Sequence, residues 1–593
     1  MTARLFNGAE YLVCEATKDE VFTPECFNDE QKQMGAMIEQ FVSKEVAPLQ
    51  EQIEGQNFPV SLDLLRMCGD LGVLMMDVPS EYGGLELDKV SSMHVSEKMA
   101  WSGSFFVTWG VTSSLGTLPL VYYGTEDQKK RYFPKIMTAE WVCAYCLTEP
   151  DAGSDALGAK TTARLSSDGK HYLLNGTKQF ISNGAMADLF TVFAKIDGEH
   201  FSAFLVEKGF GGITIGPEEK KLGLKGSSTT QVIFDQVKVP VENLLGEIGK
   251  GHKIAFNVLN LGRLKVAAGT VGAAKQALAG GVSYANLRKQ FRTPISHFGA
   301  IKEKIADMAA AVFVSESVLY RVTGLIDARL ATIPKDTPNY YEKYQLGIEE
   351  YATECAIAKV FCSEVLSHVA DEVVQIHGGY GFVQDYPAER YYRDERINRI
   401  FEGTNEINRM LITTMILRKA LSGDINLALE TEKARERFGG NQGGQACQSS
   451  TCFQPEKSLT ANLKHVFFLL LGAASSTYQE KIRNEQEVLL ALADVAINIF
   501  AIESAVMRAE KIVPGISETK GAAVKAMVEV FAFNAGEKSR FFLKKAANYT
   551  GCSHFHAIVS GIGAVSGYDV PDLLSAKRTL ADAVIETEKY PLP

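Results

Sequence analysis

Between about residues 143 and 250 the helical hydrophobic period gives way to short strand-like runs, and no other feature of the chain constrains its fold as much. The runs LFTVFAKI, FSAFLVEK and TTQVIFDQVKVP are rich in β-branched and aromatic residues and are separated by turn signals, which predicts strands. Asn175-Gly176, flanked by HYLL and TKQFIS, predicts a hairpin. On either side the period is helical. Asn28 caps with Gln31 three residues on, and Met34, Met37, Ile38, Phe41, Val42 and Val46 recur at helical spacing until Pro48. The turn cluster Tyr82-Gly83-Gly84 breaks the pattern, TEDQKKRYFPKI after Gly124 opens a further helix, and the helical period returns from Gly251 to about residue 438. Helices, then strands, then helices predict an α+β fold with separate layers. That order lacks the strand-helix alternation of a doubly wound nucleotide fold.

The stretch Gly439 to Pro455 (GGNQGGQACQSSTCFQP) has too little apolar surface to offset the entropy of ordering, which predicts a flexible linker. The expected organisation is a helical domain over 1–142, a β domain over 143–250, a helical domain over 251–438, the linker 439–455 and a helical extension over 456–593. In the extension, Leu489, Leu490, Ala493, Val495 and Ile499 mix helical steps with buried runs.

Acidic residues outnumber basic ones by 71 to 61, and a net charge of −10 on a chain this long argues against a polyanion-binding surface. Nucleic acid is not an expected partner. The start MTARLFNGAEYLV lacks a basic, apolar and small-residue signal, and the 10 cysteines are scattered in apolar stretches such as those around Cys68, Cys355 and Cys362. A reducing, cytoplasmic location is expected. The apolar run Val466 to Ala474 reaches only about half of the roughly 20 residues a spanning helix needs, so no membrane-crossing segment is expected.

Three local motifs are outweighed by plainer readings. Cys143-Ala-Tyr-Cys146 has redox-dithiol spacing, but there is no second pair and no thioredoxin context, so buried strand cysteines are expected. Gly561-Ile-Gly563-Ala-Val-Ser-Gly567 imitates a dinucleotide loop, yet the chain after it is too short for the rest of a βαβ unit, and helix packing is expected. His554-Phe-His556 lacks ligand partners at fixed spacing except Cys552, and no metal is assigned. There is no Walker loop and no Gly-x-Ser-x-Gly elbow, which removes local support for kinase, ATPase and serine hydrolase readings.

Three other stretches put polar and glycine-rich residues where packing would be expected. Tyr145-Cys-Leu-Thr-Glu-Pro-Asp-Ala-Gly-Ser154 combines a strand with a turn able to aim N–H groups and a hydroxyl at an anion. Phe180-Ile-Ser-Asn-Gly184 presents an aromatic face beside a hydroxyl donor. The third runs from Gln375-Ile-His-Gly-Gly-Tyr-Gly-Phe382 through Arg393-Asp394 to Ile400-Phe-Glu-Gly-Thr-Asn405. There Glu402 sits at a helix end among Ile397, Ile400 and Phe401, where desolvation favours a general base.

Together with LGRLKVAAGTVGAAKQAL from 261, these blocks resemble the acyl-CoA dehydrogenase family over about residues 30 to 425. The resemblance implies an N-terminal helical domain, a middle β-barrel-like domain and a C-terminal four-helix domain, with FAD between the last two and across a subunit interface. It implies that Glu402 removes the α-proton of a fatty acyl-CoA while the β-hydride passes to flavin N5, giving trans-2-enoyl-CoA in fatty-acid β-oxidation. The Glu402 backbone N–H and a ribityl hydroxyl of FAD then polarise the thioester carbonyl.

By the same matching, Tyr145, Leu147, Thr148 and Ser154 contact the flavin, Phe180 stacks at its ring and Ser182 hydrogen-bonds N5. Phe180 and Ser182 stand where many relatives have Trp and Thr, a change that bears on flavin potential. Arg288, Gln290, Phe291 and Phe298 match the segment that reaches the FAD of a neighbouring subunit, and Gln375, Gly378 and Gly379 match the loop over that FAD's adenosine. Thr404 and Asn405 match the pyrophosphate side. For substrate, Asn260 and Arg263 match contacts to the CoA adenosine, Gly403 lies beside the thioester and Ser154 is shared. Asn260 replaces a frequent Asp, and Gly299 a frequent Gln.

The extension resembles that of the very-long-chain branch and its assembly-factor relative. That implies a homodimer, a long-chain acyl-CoA substrate, an electron-transferring flavoprotein as acceptor and a peripheral membrane contact near 457–515, weighed against a buried bundle helix there. The alternatives on the same fold are an acyl-CoA oxidase and a respiratory-complex assembly or scaffold protein.

Overall fold

The computed structural model describes residues 4–439, 452–568, 570 and 572–592, so most of the expected linker, 440–451, lies outside the described residues. Asn28–Gly272 with Arg329–Glu349 form one compact unit; Met1–Phe27, Ala273–Ala328 and Glu350–Pro593 form another.

In the first unit, helix α1 (Asp29–Phe41) starts with the expected reciprocal cap: Asn28 Oδ1 accepts from Gln31 N at 2.8 Å and Gln31 Oε1 accepts from Asn28 N at 3.1 Å. The helix expected to run on to Pro48 changes character first. Val42–Val46 widens to a π turn and Ala47–Leu49 tightens to a 3-10 turn, because Pro48 offers no N–H and its ring crowds the carbonyl four residues back. Helices α2 (Lys89–Met99) and α3 (Glu126–Met137) follow, the latter capped by Thr125. Ile38, Phe41, Leu64, Leu65, Phe105 and Trp109 form the core of this helical part.

The strands are β1 (Cys143–Cys146), β2 (Thr162–Leu165), β3 (His171–Ser182), β4 (Leu189–Ile196), β5 (His200–Glu207), β6 (Ile213–Ile215), β7 (Thr229–Pro240) and β8 (Leu244–Leu245). They form one sheet in the order β6-β7-β3-β2-β4-β5-β8, with β1 paired to β4. The three expected strand runs are β4, β5 and β7. Strand β4 is buried at every residue but Lys195, which explains why it reads as a continuous apolar run. Cys143 and Cys146 are buried on β1.

The expected hairpin at Asn175-Gly176 is not formed. β3 runs straight through it, and its pairing with β7 slips between Leu174 and Gly176. A Cβ on Gly176 would fall 2.4 Å from Thr161 Oγ1, and Asn175 Oδ1 accepts from Gln236 N at 3.0 Å. The dipeptide therefore makes a bulge where a neighbouring strand passes close.

Helix α4 (Gly251–Leu287) is divided between the units at Gly272. The second unit then contains α5 (Gly299–Leu330), α6 (Ala352–His377) and α7 (Asn405–Ser422), followed in the extension by α8 (Gln454–Tyr478), α9 (Gln486–Ile512) and α10 (Glu518–Tyr549). Helix α7 packs against both α6 and α9. The segment before Phe27 is strapped to this unit. Tyr351 donates to Phe6 O at 2.6 Å, Ala9 N donates to Glu354 at 2.6 Å, and buried Arg508 reaches Glu25 at 2.7 Å and Glu316 at 2.6 Å. Gly561 allows close packing, since a Cβ there would meet Val466 Cγ2 at 2.7 Å.

Among the described residues, three helical segments are long and apolar enough to cross a membrane by length and composition: Ser104–Tyr123, Gly299–Leu330 and Gln486–Gly515. Their most apolar windows are 78%, 83% and 83% buried inside the fold. Protein contacts account for that apolarity. Over 457–515, where a peripheral membrane contact is weighed against a buried bundle helix, α8 and α9 turn many of their apolar residues into the bundle.

Candidate active site

In the second unit Glu402 and Gly403 precede α7 with φ of 57° and 80°. A left-handed conformation costs a non-glycine residue about 1–2 kcal/mol, so the surroundings must hold it. Asn408, one turn into α7, donates from Nδ2 to the carbonyls of Glu402 (3.3 Å), Gly403 (2.8 Å) and Thr404 (3.1 Å). Buried Lys359 of α6 donates from Nζ to Gly403 O and to Asn405 Oδ1, both at 2.8 Å. Thr404 caps α7 by accepting from Ile407 N at 3.3 Å. Glu402 Oε2 is buried.

Asn405, expected at the pyrophosphate side, turns its side chain inward, donating to Ser363 Oγ (3.1 Å) and Glu364 Oε1 (3.0 Å) as it accepts from Lys359. Both of its amide hydrogens are thereby engaged within the protein. Lys359 and Asn408 escaped the sequence reading, although both left a signal: a lysine inside the apolar run AIAKVF and an asparagine in the first turns of a helix each need a partner.

The same unit holds a cavity of about 610 Å³ lined by Arg288, Gln290, Gly378, Gly379, Tyr284 and Tyr380, among others. The Arg288 guanidinium lies 5.3 Å from the Tyr380 ring centroid, and Tyr284 stacks on His377 at 4.0 Å. Strands β9 (Lys289–Gln290) and β10 (Thr293–Pro294) are joined by Phe291 and Arg292, with φ of 50° and 66°. This turn projects Phe291, which is 90% exposed and meets Phe298 edge-on at 6.2 Å. Gln375 lies near the end of α6, exposed, and Gly299 opens α5 with nothing near its Cα hydrogens.

In the first unit Tyr145 lies half-buried on β1, with its ring 5.1 Å from that of Phe193. Leu147 and Thr148 follow the strand, and Thr148 O accepts from Gln179 N at 2.9 Å. The turn to exposed Ser154 rests on Glu149, whose carboxylate accepts from Lys178 Nζ (2.7 Å), Lys160 N (2.5 Å) and Thr161 N (3.0 Å). Burial by itself works against its charge, but the Lys178 ammonium and these donors hold the carboxyl below its ordinary range.

Phe180 has φ 58° at a register shift between Lys178 and Ile181, which leaves it 62% exposed where its strand neighbours are buried. Ser182 ends β3 half-buried, and Asn183 (φ 63°) anchors the turn by donating to Thr108 O, Thr112 Oγ1 and Cys143 O at 3.0, 3.2 and 3.2 Å. Asn260 and Arg263 are buried on α4 and linked by an Nη1 to Oδ1 bond of 2.8 Å, so the amide still tethers the arginine as a carboxylate would.

Four family models match: acyl-CoA dehydrogenase N-terminal domain over residues 28–140, middle domain over 144–237, C-terminal domain over 249–417, and a further acyl-CoA dehydrogenase C-terminal domain over 462–550. A probable acyl-CoA dehydrogenase of Bacillus subtilis is 44% identical over 586 residues, 98% of each chain. The chain belongs to the acyl-CoA dehydrogenase family. It is an FAD-dependent oxidoreductase, with the helical, β, helical and extension order that the family models match. The human mitochondrial very long-chain specific acyl-CoA dehydrogenase is 37% identical over 534 residues, covering 84% of this chain and 77% of that one. The crystal structure of an acyl-CoA dehydrogenase complexed with FAD from Bacillus anthracis superposes with a TM-score of 0.95 at 44% identity, covering 99% of this chain and 100% of that one.

The residues of this acyl-CoA dehydrogenase fit FAD on their own chemistry. An exposed Phe180 beside the Ser182 hydroxyl suits an apolar ring with polar edges. The second unit's cavity pairs a guanidinium and an amide with aromatic walls and unobstructed glycines, which suits a nucleotide.

Proposed function

We propose that this acyl-CoA dehydrogenase converts a long-chain fatty acyl-CoA to the trans-2-enoyl-CoA in fatty-acid β-oxidation, with Glu402 as the base that takes the α-proton. The observation that carries this reading is the turn at Glu402: a carboxylate on a left-handed backbone, with its own carbonyl and the next two tied back by Asn408 and Lys359. A base of this kind must meet the proton at a fixed angle, and a turn so held does not have to be ordered during the reaction. Bound FAD supplies the acceptor for the β-hydride. This chain's part is to hold the carboxylate and present the Glu402 N–H toward the thioester carbonyl, with Gly403 leaving room for the thioester. Phe180 and Ser182 face the flavin ring, while Arg288, Gln290, Gly378 and Gly379 receive the nucleotide of a neighbouring subunit's FAD.

A long acyl chain is supported by the extension, which the very long-chain specific relatives match along with the catalytic domains. A homodimer is supported by Leu287 (78% exposed), Phe291 (90%) and Phe382 (88%), exposed apolar side chains each next in sequence to a residue that lines the cavity. The acceptor in this reading is an electron-transferring flavoprotein.

The test is flavin bleaching under anaerobic conditions. Wild-type protein is expected to bleach with acyl-CoA, and a chain-length series to bleach fastest with long chains. Glu402→Gln should keep FAD and acyl-CoA binding and lose bleaching; bleaching at the wild-type rate removes Glu402 from the base role. Peroxide formed at turnover rate on aeration would make the protein an oxidase, and purified protein that neither holds FAD nor is reduced would make it a scaffold.

A further inference from the structure

The extension reaches the catalytic turn through an unbroken polar chain in the second unit. Asp494 lies on α9, and its Oδ1 accepts from Arg409 Nε at 2.7 Å. The other side of the same guanidinium grips Glu364 at 2.8 and 2.9 Å. Glu364 Oε1 accepts from Asn405 Nδ2 at 3.0 Å, and Asn405 Oδ1 accepts from Lys359 Nζ, which also holds Gly403 O. The charges alternate along the way: Asp494 negative, Arg409 positive, Glu364 negative, Lys359 positive. Each group therefore neutralises the next, and an arginine bonded through both edges is fixed in orientation.

We infer that Asp494, Arg409 and Glu364 are positioning residues for Glu402, so that the C-terminal extension helps to set the geometry of the catalytic turn. The inference rests on Glu402 being the base, but it concerns how the turn is held. Arg409 stands on α7, whose first turn carries the Asn408 amide that ties Glu402 O, and Glu364 stands on α6, which supplies Lys359. Asp494 comes from the extension and closes the bracket between these helices. With the Asp494 charge removed, Arg409 keeps only a neutral acceptor on that edge and its charge-assisted hold is left to Glu364 alone. The consequence is a looser α7 N-terminus, read out at Gly403 and Glu402.

Asp494→Asn keeps shape and removes the charge. In FAD-loaded protein, amide exchange of the peptide spanning residues 398–410 should rise about tenfold, with exchange in the β-sheet unchanged. The limiting rate of flavin reduction by a long-chain acyl-CoA should fall about tenfold at unchanged half-saturation, and Asp494→Glu should recover part of it. Combining Asp494→Asn with Arg409→Met should cost no more than Arg409→Met alone. Glu364→Gln serves as the second probe if Asp494→Asn does not fold, with the same expected rise in exchange. Unchanged exchange in residues 398–410, or rate losses that add in the double variant, overturns the inference. Exchange does not depend on which group is the base, so a Glu402→Gln protein that still bleaches would remove the base reading and leave this test standing.

Discussion

Replacing Lys178 by Met leaves a buried carboxylate without its cation. Lys178 is 0% and Glu149 5% exposed at the side chain, with the ion pair at 2.7 Å. Breaking one side of such a pair costs about 3–5 kcal/mol. Glu149 keeps two backbone donors, Lys160 N and Thr161 N, which places the loss at the lower end of that range. Leu147 O also loses its 3.2 Å donor, for about 1 kcal/mol more. The sum is about 4 kcal/mol, or roughly a thousandfold in the opening of the turn that carries Leu147, Thr148 and Ser154. Amide exchange over residues 147–161 in the FAD-free protein measures that opening, and FAD retained after dialysis measures its consequence. Lys178→Met should exchange this segment far faster and lose FAD. Adding Glu149→Gln, which removes the stranded charge, should recover more than half of the loss. A single variant with wild-type exchange and FAD content, or a double variant as damaged as the single, would refute the argument that charge pairing holds the turn.

Other outcomes follow from single sites. Burial lifts the Glu354 carboxyl from its ordinary 4.5 to about 7. The folded protein then keeps a proton that the unfolded chain has released between those values, so the contribution to stability is full below pH 4.5 and lost as pH rises through 7. Glu354→Gln should therefore stabilise the strapped N-terminal segment by up to about 3 kcal/mol above pH 7, with the gain vanishing near pH 4.5; denaturant titrations at a series of pH values check it. Asn183→Ala strips three acceptors of their donor and puts alanine at φ 63°, for an expected loss of about 2–4 kcal/mol in thermal unfolding and weakened FAD binding. Gly272→Ala would bring a Cβ to 1.9 Å from Glu97 O, so circular dichroism melting should show a loss of more than 1 kcal/mol; a neutral outcome would mean that the helix shifts freely there.

Much of the fold was legible because the signals were short-range. The cap at Asn28 joins residues three apart, and β4, β5 and β7 occupy the runs that their β-branched and aromatic content marked. Glu402 was legible through its block, although periodicity says nothing of how its backbone turns. The Asn175-Gly176 reading failed for a reason that lies outside the dipeptide: β7 and Thr161 occupy the space in which a hairpin would have turned back. The partners of Asn405 were illegible for the same kind of reason, since Ser363, Glu364 and Lys359 meet its amide from more than 40 residues away.

The amino-acid order by itself determined element type, the caps, the helix-strand-helix sequence and the blocks that carry the chemistry, because each depends on side chains within a turn or two along the backbone. Tertiary structure alone decided that Phe180 faces outward at a bulge, that Glu402 is held left-handed, and that Asp494 of the extension holds Arg409 one residue beyond the Asn408 amide that ties Glu402 O. Those outcomes come from buried polar groups that must find partners wherever the folded chain brings them, and sequence separation sets no limit on that search.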